Sequence, residues 1–290
     1  MTAASRPLDW HLHFVWLLAL LALAAGYLWA TRHGDGAATG RQKLLFLGGV
    51  ILLAGALTWP LGDLASHWLL LALVLQRLLL TLAVPPLLVL GTPRAIIDRL
   101  TRPAAVDAVL RVAVRPAPAV AIVTVVAVGT LTVGAVSLAA HSVVARTVIQ
   151  LVVLGSGFVL WAPVLTELPG VQRLSSLGRG GYLIVQSIVP SFLSIVWIFA
   201  RHPLYPPFTY PGKVAGMTPL LDQELAGFLA KLSTIAVLWT VAFVIMTRAQ
   251  SAGSTGGDTD PLVWSDVERE IQRADRRDRR QPWWPGAPPS

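Results

Sequence analysis

The sequence of 290 residues contains no cysteine, which excludes disulfides and thiolate-ligated metals. It is also short of charge: 13% of its residues are charged and 54% are hydrophobic, whereas about a quarter of a soluble globular domain is charged. Several enzyme signatures are missing as well. No G-x-S-x-G elbow, H-E-x-x-H pair, P-loop or glycine-rich dinucleotide turn occurs, so no enzymatic activity is expected. Carboxylates inside the apolar segments are too few to build an obvious proton relay.

What the sequence has in abundance is apolar length. Runs at 12–30, 44–61, 64–90, 117–140, 148–165, 182–200 and 225–246 are each close to the roughly 20 residues that cross a bilayer core as a helix. None shows the ten-residue alternation of a membrane β-barrel, and in lipid the helix satisfies its own backbone. The expected fold is an all-α integral membrane protein, a bundle of seven transmembrane helices. The first run lacks a small-residue cleavage site and is followed by the polar turn "TRHGDGAATGRQK", so it is read as a retained span.

The formal net charge of +8 would suit nucleic acid in a soluble protein, but here its distribution points to orientation and no nucleic-acid partner is expected. Arginine and lysine concentrate after the first, third, fifth and seventh runs, for example Arg94, Arg99, Arg102, Arg111 and Arg115 after the third. By the positive-inside rule the N-terminus is outside and the C-terminus cytoplasmic. Composition then divides the chain into a membrane domain, 1–247, and a flexible basic cytoplasmic tail, 248–290. The tail's arginines could meet anionic headgroups, but Asp275 and Asp278 dilute their field.

Three stretches, in order, resemble the CtaG-type cytochrome c oxidase assembly family. They are "PPLLVLGTP" at 85–93, "FVLWAPVL" at 158–165, and "HPLYPPF" at 202–208 followed by "TPLLDQELAGFLA" at 218–230. The similarity runs over about 44–247. It implies a multi-pass protein of the bacterial plasma membrane that helps mature the copper sites of haem-copper oxidases, with oxidase subunits and membrane lipids as partners.

The departures from the pattern are informative. Counting back from Pro85, a His-Met-x-Gln-His motif would place histidines at Leu73 and Arg77 and keeps its glutamine as Gln76. A second cluster, His-x-x-Glu-His, falls on Arg146, Ile149 and Gln150, and a Trp-His pair falls near Thr130 and Leu131. Imidazoles at i and i+4 share a helix face, as helix-borne metal ligation requires. Leucine cannot ligate and arginine does not give up its proton, so the chain is expected to keep the scaffold and lack the metal centre.

The candidate functional residues are therefore those that remain polar. Arg77 and Lys231 lie inside spans, where a cation costs at least about 2.5 kcal/mol. They could line a cavity and hold a haem propionate, a lipid phosphate or a carboxylate, or simply pair within the bundle. Glu224, seven residues before Lys231 and on the same face, is a candidate partner. Gln76, Asp222 and Gln223 complete the intramembrane set; an acidic residue in a first helical turn also complements the dipole of its own helix. His11, His13, His67, His141 and His202 fall near one membrane face and could form a relocated copper site, against the plainer reading of interfacial side chains. The leading expectation is a non-enzymatic assembly factor or scaffold for a haem-copper oxidase. The alternatives are a small-molecule or anion transporter using Arg77 and Lys231, or an accessory subunit of a larger membrane complex.

Overall fold

The computed structural model describes residues 14–32, 37–165, 174–209 and 216–255. They are helical in order: α1 (Phe14–Ala30), α2 (Gly40–Leu57), α3 (Leu61–His67), α4 (Leu70–Leu78), a π-helical turn (Leu79–Ala83), α5 (Val84–Gly91), α6 (Arg94–Thr101), α7 (Ala104–Ala113), α8 (Pro116–Thr130), α9 (Val133–His141), α10 (Val143–Leu165), α11 (Ser176–Phe199), a 3-10 turn (Pro206–Phe208) and α12 (Pro219–Thr255). No strand occurs among the described residues. The chain divides near Ile245. Beyond it only the end of α12, to Thr255, is described, and most of the proposed tail lies outside the described residues.

Among the described residues five helical segments are long and apolar enough to cross a membrane: Gly40–Leu57, Leu70–Gly91, Val143–Leu165, Ser176–Phe199 and Pro219–Ser251. A sixth is reached if α7 and α8, which meet at 92°, are counted as one span, and α1 is a shorter apolar helix. Side chains such as Val15, Phe199 and Val144, at 81%, 77% and 74% exposure, face outward from the bundle. Apolar groups displayed so widely require an apolar solvent, and the protein is a membrane protein.

Three of the expected boundaries shift, each for a local reason. The run 64–90 divides at Trp68 and Leu69, so α3 is separate and the long helix begins at Leu70. The run 117–140 breaks after Thr130, because Thr132 accepts a hydrogen bond from Ala135 N–H at 3.3 Å and starts α9 as its N-cap. The fifth run begins earlier than its apolar stretch, at Val143, which places Arg146 in the first turn and a half of α10.

The segment Leu70–Gly91 is the axis of the bundle. Leu80, Val84 and Leu88 enter an apolar cluster with α1, α2 and α10; Leu82 enters a second with α8, α10, α11 and α12; Leu70 and Val74 enter a third with α9, α11 and α12. Pro85 has no N–H to donate to the carbonyl of Thr81, and the π-helical turn lies just before it. Trp161 of α10 supplies the missing donor, its Nε1 lying 3.0 Å from Thr81 O. Gly157, one turn earlier, permits this approach: a Cβ there would meet Leu80 O and Pro85 Cγ at 2.7 Å.

Candidate functional site

Arg77 lies two turns into the axial helix and is 9% exposed. Its two terminal nitrogens donate to the same residue at the end of α8, Nη1 to Thr130 Oγ1 and Nη2 to Thr130 O. Tyr205 donates to the next carbonyl, Leu131 O, at 2.8 Å, and accepts from Trp197 Nε1 at 3.1 Å. The last carbonyls of a helix have no partner within it and carry partial negative charge. By ending at Thr130, α8 thus creates the acceptors that make Arg77 tolerable at this depth. Burial pushes the Tyr205 phenol above its ordinary pKa, against the opposing effects of the Trp197 hydrogen bond and the Arg77 charge, so it remains a donor at neutral pH.

Arg77 also faces a cavity of about 20 Å³ whose walls come from α3, α4, α9, α10, the π-helical turn and the 3-10 turn. Leu73 and Gln76 contribute from α4; Arg146, Ile149 and Gln150 contribute from α10. These are the positions at which the family pattern would place its ligand clusters, and two helices far apart in sequence bring them to one space. Gln76 is committed elsewhere, its Nε2 donating to Ala56 O at 2.6 Å. Arg146 carries a buried Nη1 with no hydrogen-bond partner among the described residues, and the Asp63 carboxylate supplies an attractive charge to its guanidinium. Gln150 is 8% exposed. Guanidinium groups and the aliphatic Leu73 and Ile149 do not form a copper site.

A second cavity, of about 110 Å³, lies on the other side of Arg77. Its walls are mainly aliphatic, with Thr81, Thr130, Ser156, Gln186 and Thr234 as polar interruptions. Arg77 and Val153 line both spaces. Lys231 lines neither of them, although its neighbours Ala230 and Thr234 face the second. No ion pair joins Lys231 to Glu224 among the described residues; both are half-buried on α12.

Asp222 and Gln223 act across the bundle. Asp222 accepts from the N–H groups of Leu70 at 2.7 Å and Leu71 at 3.0 Å, so it caps the axial helix, whose own N-cap, Leu69, offers no side-chain acceptor. The dipole it complements is that of α4 as well as that of its own helix. Gln223 accepts from Leu204 N–H at 2.7 Å and donates to Trp197 O at 3.3 Å, tying the loop and the end of α11 to α12. Two adjacent residues of the same shared stretch complete the joint: Ala226 is fully buried, and a Cβ on Gly227 would meet Ser194 O at 2.9 Å.

Of the five candidate histidines, only His141 and His202 have described side chains. His11 and His13 lie outside the described residues, as does the side chain of His67. His141 is exposed, with Nδ1 2.7 Å from Ser137 O, and His202 is exposed on the loop before the 3-10 turn. Among the described residues no three His, Asp or Glu side chains are placed to hold a metal ion. The residues that the sequence reading left out of its candidates are Arg146 and Gln150. Their i, i+4 spacing on one helix is the available signal, obscured because the apolar run starts at Val148, after Arg146.

The family model described as cytochrome c oxidase caa3 assembly factor matches residues 10–251. No curated protein and no solved structure gives a significant match. The chain belongs to the cytochrome c oxidase caa3 assembly factor family.

Proposed function

We propose that this member of the caa3 assembly factor family acts as a non-enzymatic membrane scaffold in the assembly of a haem-copper oxidase. The observation that carries the reading is the family match over 10–251, which spans the whole apolar part of the chain. The chemistry of the central cavity supports the finer claim that assembly proceeds without copper transfer through this protein. Arg77, Arg146 and Gln150 stand there, and a cationic guanidinium repels a metal cation. In this reading the chain crosses the bacterial plasma membrane seven times, N-terminus outside and C-terminus cytoplasmic, with α7 lying along the surface at 92° to α8. The client is held through protein contact and through membrane lipids.

The test is a deletion strain carrying an affinity-tagged copy of the chain. Oxidase subunits should co-purify with it, and loss of the chain should lower the amount of assembled oxidase. Restoration by an Arg77→Leu variant that still inserts would assign the role to the scaffold and not to the cavity. Normal assembled oxidase in the deletion strain would overturn the assembly reading. The place of Arg77 between two cavities is the one feature favouring transport, and anion flux into proteoliposomes would report it.

A further inference from the structure

The cavity beside Arg77 has an unbalanced electrostatic lining. Among the described residues two guanidiniums, Arg77 and Arg146, face it and no carboxylate does, and its remaining walls are largely aliphatic, including Leu73, Leu80 and Ile149. Thr130 satisfies two donors of Arg77 but brings no charge. Asp63 provides one compensating carboxylate near Arg146, which among the described residues leaves one positive charge of the pair without a counter-charge in the cavity wall. Removing a cation from water without a counter-charge is costly, and the penalty is offset only by a well-placed partner.

Two donors point to where that partner sits. The Nη1 of Arg146 is buried with no hydrogen bond among the described residues. The Gln150 side chain, one turn along α10 and 8% exposed, lines the same cavity and makes no hydrogen bond among the described residues. Buried donors in folded proteins are nearly always satisfied. The space, about 20 Å³, exceeds the roughly 10–15 Å³ needed for one water and suits a single small occupant.

We propose that this cavity is a binding site for a small monovalent anion of halide size, held by Arg77, Arg146 and the Gln150 amide. The site lies within the membrane domain, independent of any oxidase client. The anion completes the charge balance of the bundle and locks α10 against the axial helix. A water molecule would satisfy the donors but leave the charge, and is the competing occupant.

Full-length protein in a neutral detergent, exchanged into gluconate, provides the test. Chloride or bromide added at constant ionic strength should raise the melting temperature saturably, by about 2–5 °C; phosphate and sulfate should not. Broadening of the chloride-35 resonance by the protein, reversed by bromide, should report the same occupancy directly. Gln150→Leu should weaken the halide midpoint at least about tenfold, the value of one lost charge-assisted hydrogen bond, and Arg146→Gln should weaken it further. Should Arg146→Gln fail to fold, the wild-type titration and Gln150→Leu decide alone. Equal melting temperatures in gluconate and chloride with no resonance broadening would overturn the site and leave water as the occupant. Equal effects of phosphate and chloride, or an unchanged response in Gln150→Leu, would also overturn it.

Discussion

The two ends of α10 use polar side chains in opposite ways. Towards its C-terminus Trp161 donates to the carbonyl that Pro85 leaves free, and the Tyr182 hydroxyl donates to Leu160 O at 2.9 Å. Both donors are used, and close contact at Gly157 seals the joint. Towards its N-terminus Arg146 and Gln150 face a cavity with donors left over. Satisfied groups fix structure, whereas a buried donor without a protein partner is the kind of group that a bound water or ion completes. The stretches that carry the family resemblance belong almost entirely to the first kind.

The largest effect should come from violating a close approach. Gly91→Val would drive a side chain into the backbone of Phe46, whose Cα already lies 2.7 Å from the position of an added Cβ; the joint between α2 and α5 cannot yield. A loss of about 3 kcal/mol or more is expected, read as failure to remain monodisperse after extraction in mild detergent. Recovery at wild-type yield and stability would break the view that this family stretch is a structural joint.

Asp222→Ala should rank next. It strips two acceptors from the start of the axial helix and leaves the N–H groups of Leu70 and Leu71 buried, at a cost of about 2–3 kcal/mol. Loss of helicity during denaturation in a graded detergent series measures it, and Asp222→Asn should recover part. If Asp222→Ala abolished oxidase assembly with stability unchanged, Asp222 would move from the structural to the functional side of the comparison.

Trp161→Phe keeps most of the packing and removes one donor, so Thr81 O is left without its partner from α10; about 1 kcal/mol should be lost in the same assay. Smallest of all, Gln150→Leu in halide-free buffer should change stability by no more than about 0.5 kcal/mol, and in the favourable direction, because it removes a buried amide that makes no bond. A cost equal to that of Trp161→Phe would show that the cavity end of α10 is structural like the other end, and would erase the contrast.

Much of the scaffold was legible in the residues. Counting back from Pro85 selected Leu73 and Arg77, and the second cluster of the resemblance selected Arg146, Ile149 and Gln150, which the fold brings to one cavity with them. The division of 117–140 was not foreseen, because Thr132 as an N-cap looks like any other threonine in an apolar run until Arg77 and Tyr205 are seen taking up the carbonyls at the break. Nor was the task of Asp222, whose partners are 151 and 152 residues away. Lys231 and Glu224 were paired on helical periodicity, yet a separation of two turns, roughly 10 Å along the axis, exceeds the reach of a direct ion pair.

The sequence by itself determined that the protein dissolves in lipid and is helical, because apolar length selects the solvent and each helix then closes its own hydrogen bonds locally. It also determined the family, through joints whose glycines, prolines and tryptophan are fixed by close approach. Only the tertiary structure decided which polar groups are spent and which remain open. Whether Arg77 meets a carbonyl, or Gln150 meets nothing, depends on the end of a different helix reaching it, and that is a property of packing which no local pattern encodes.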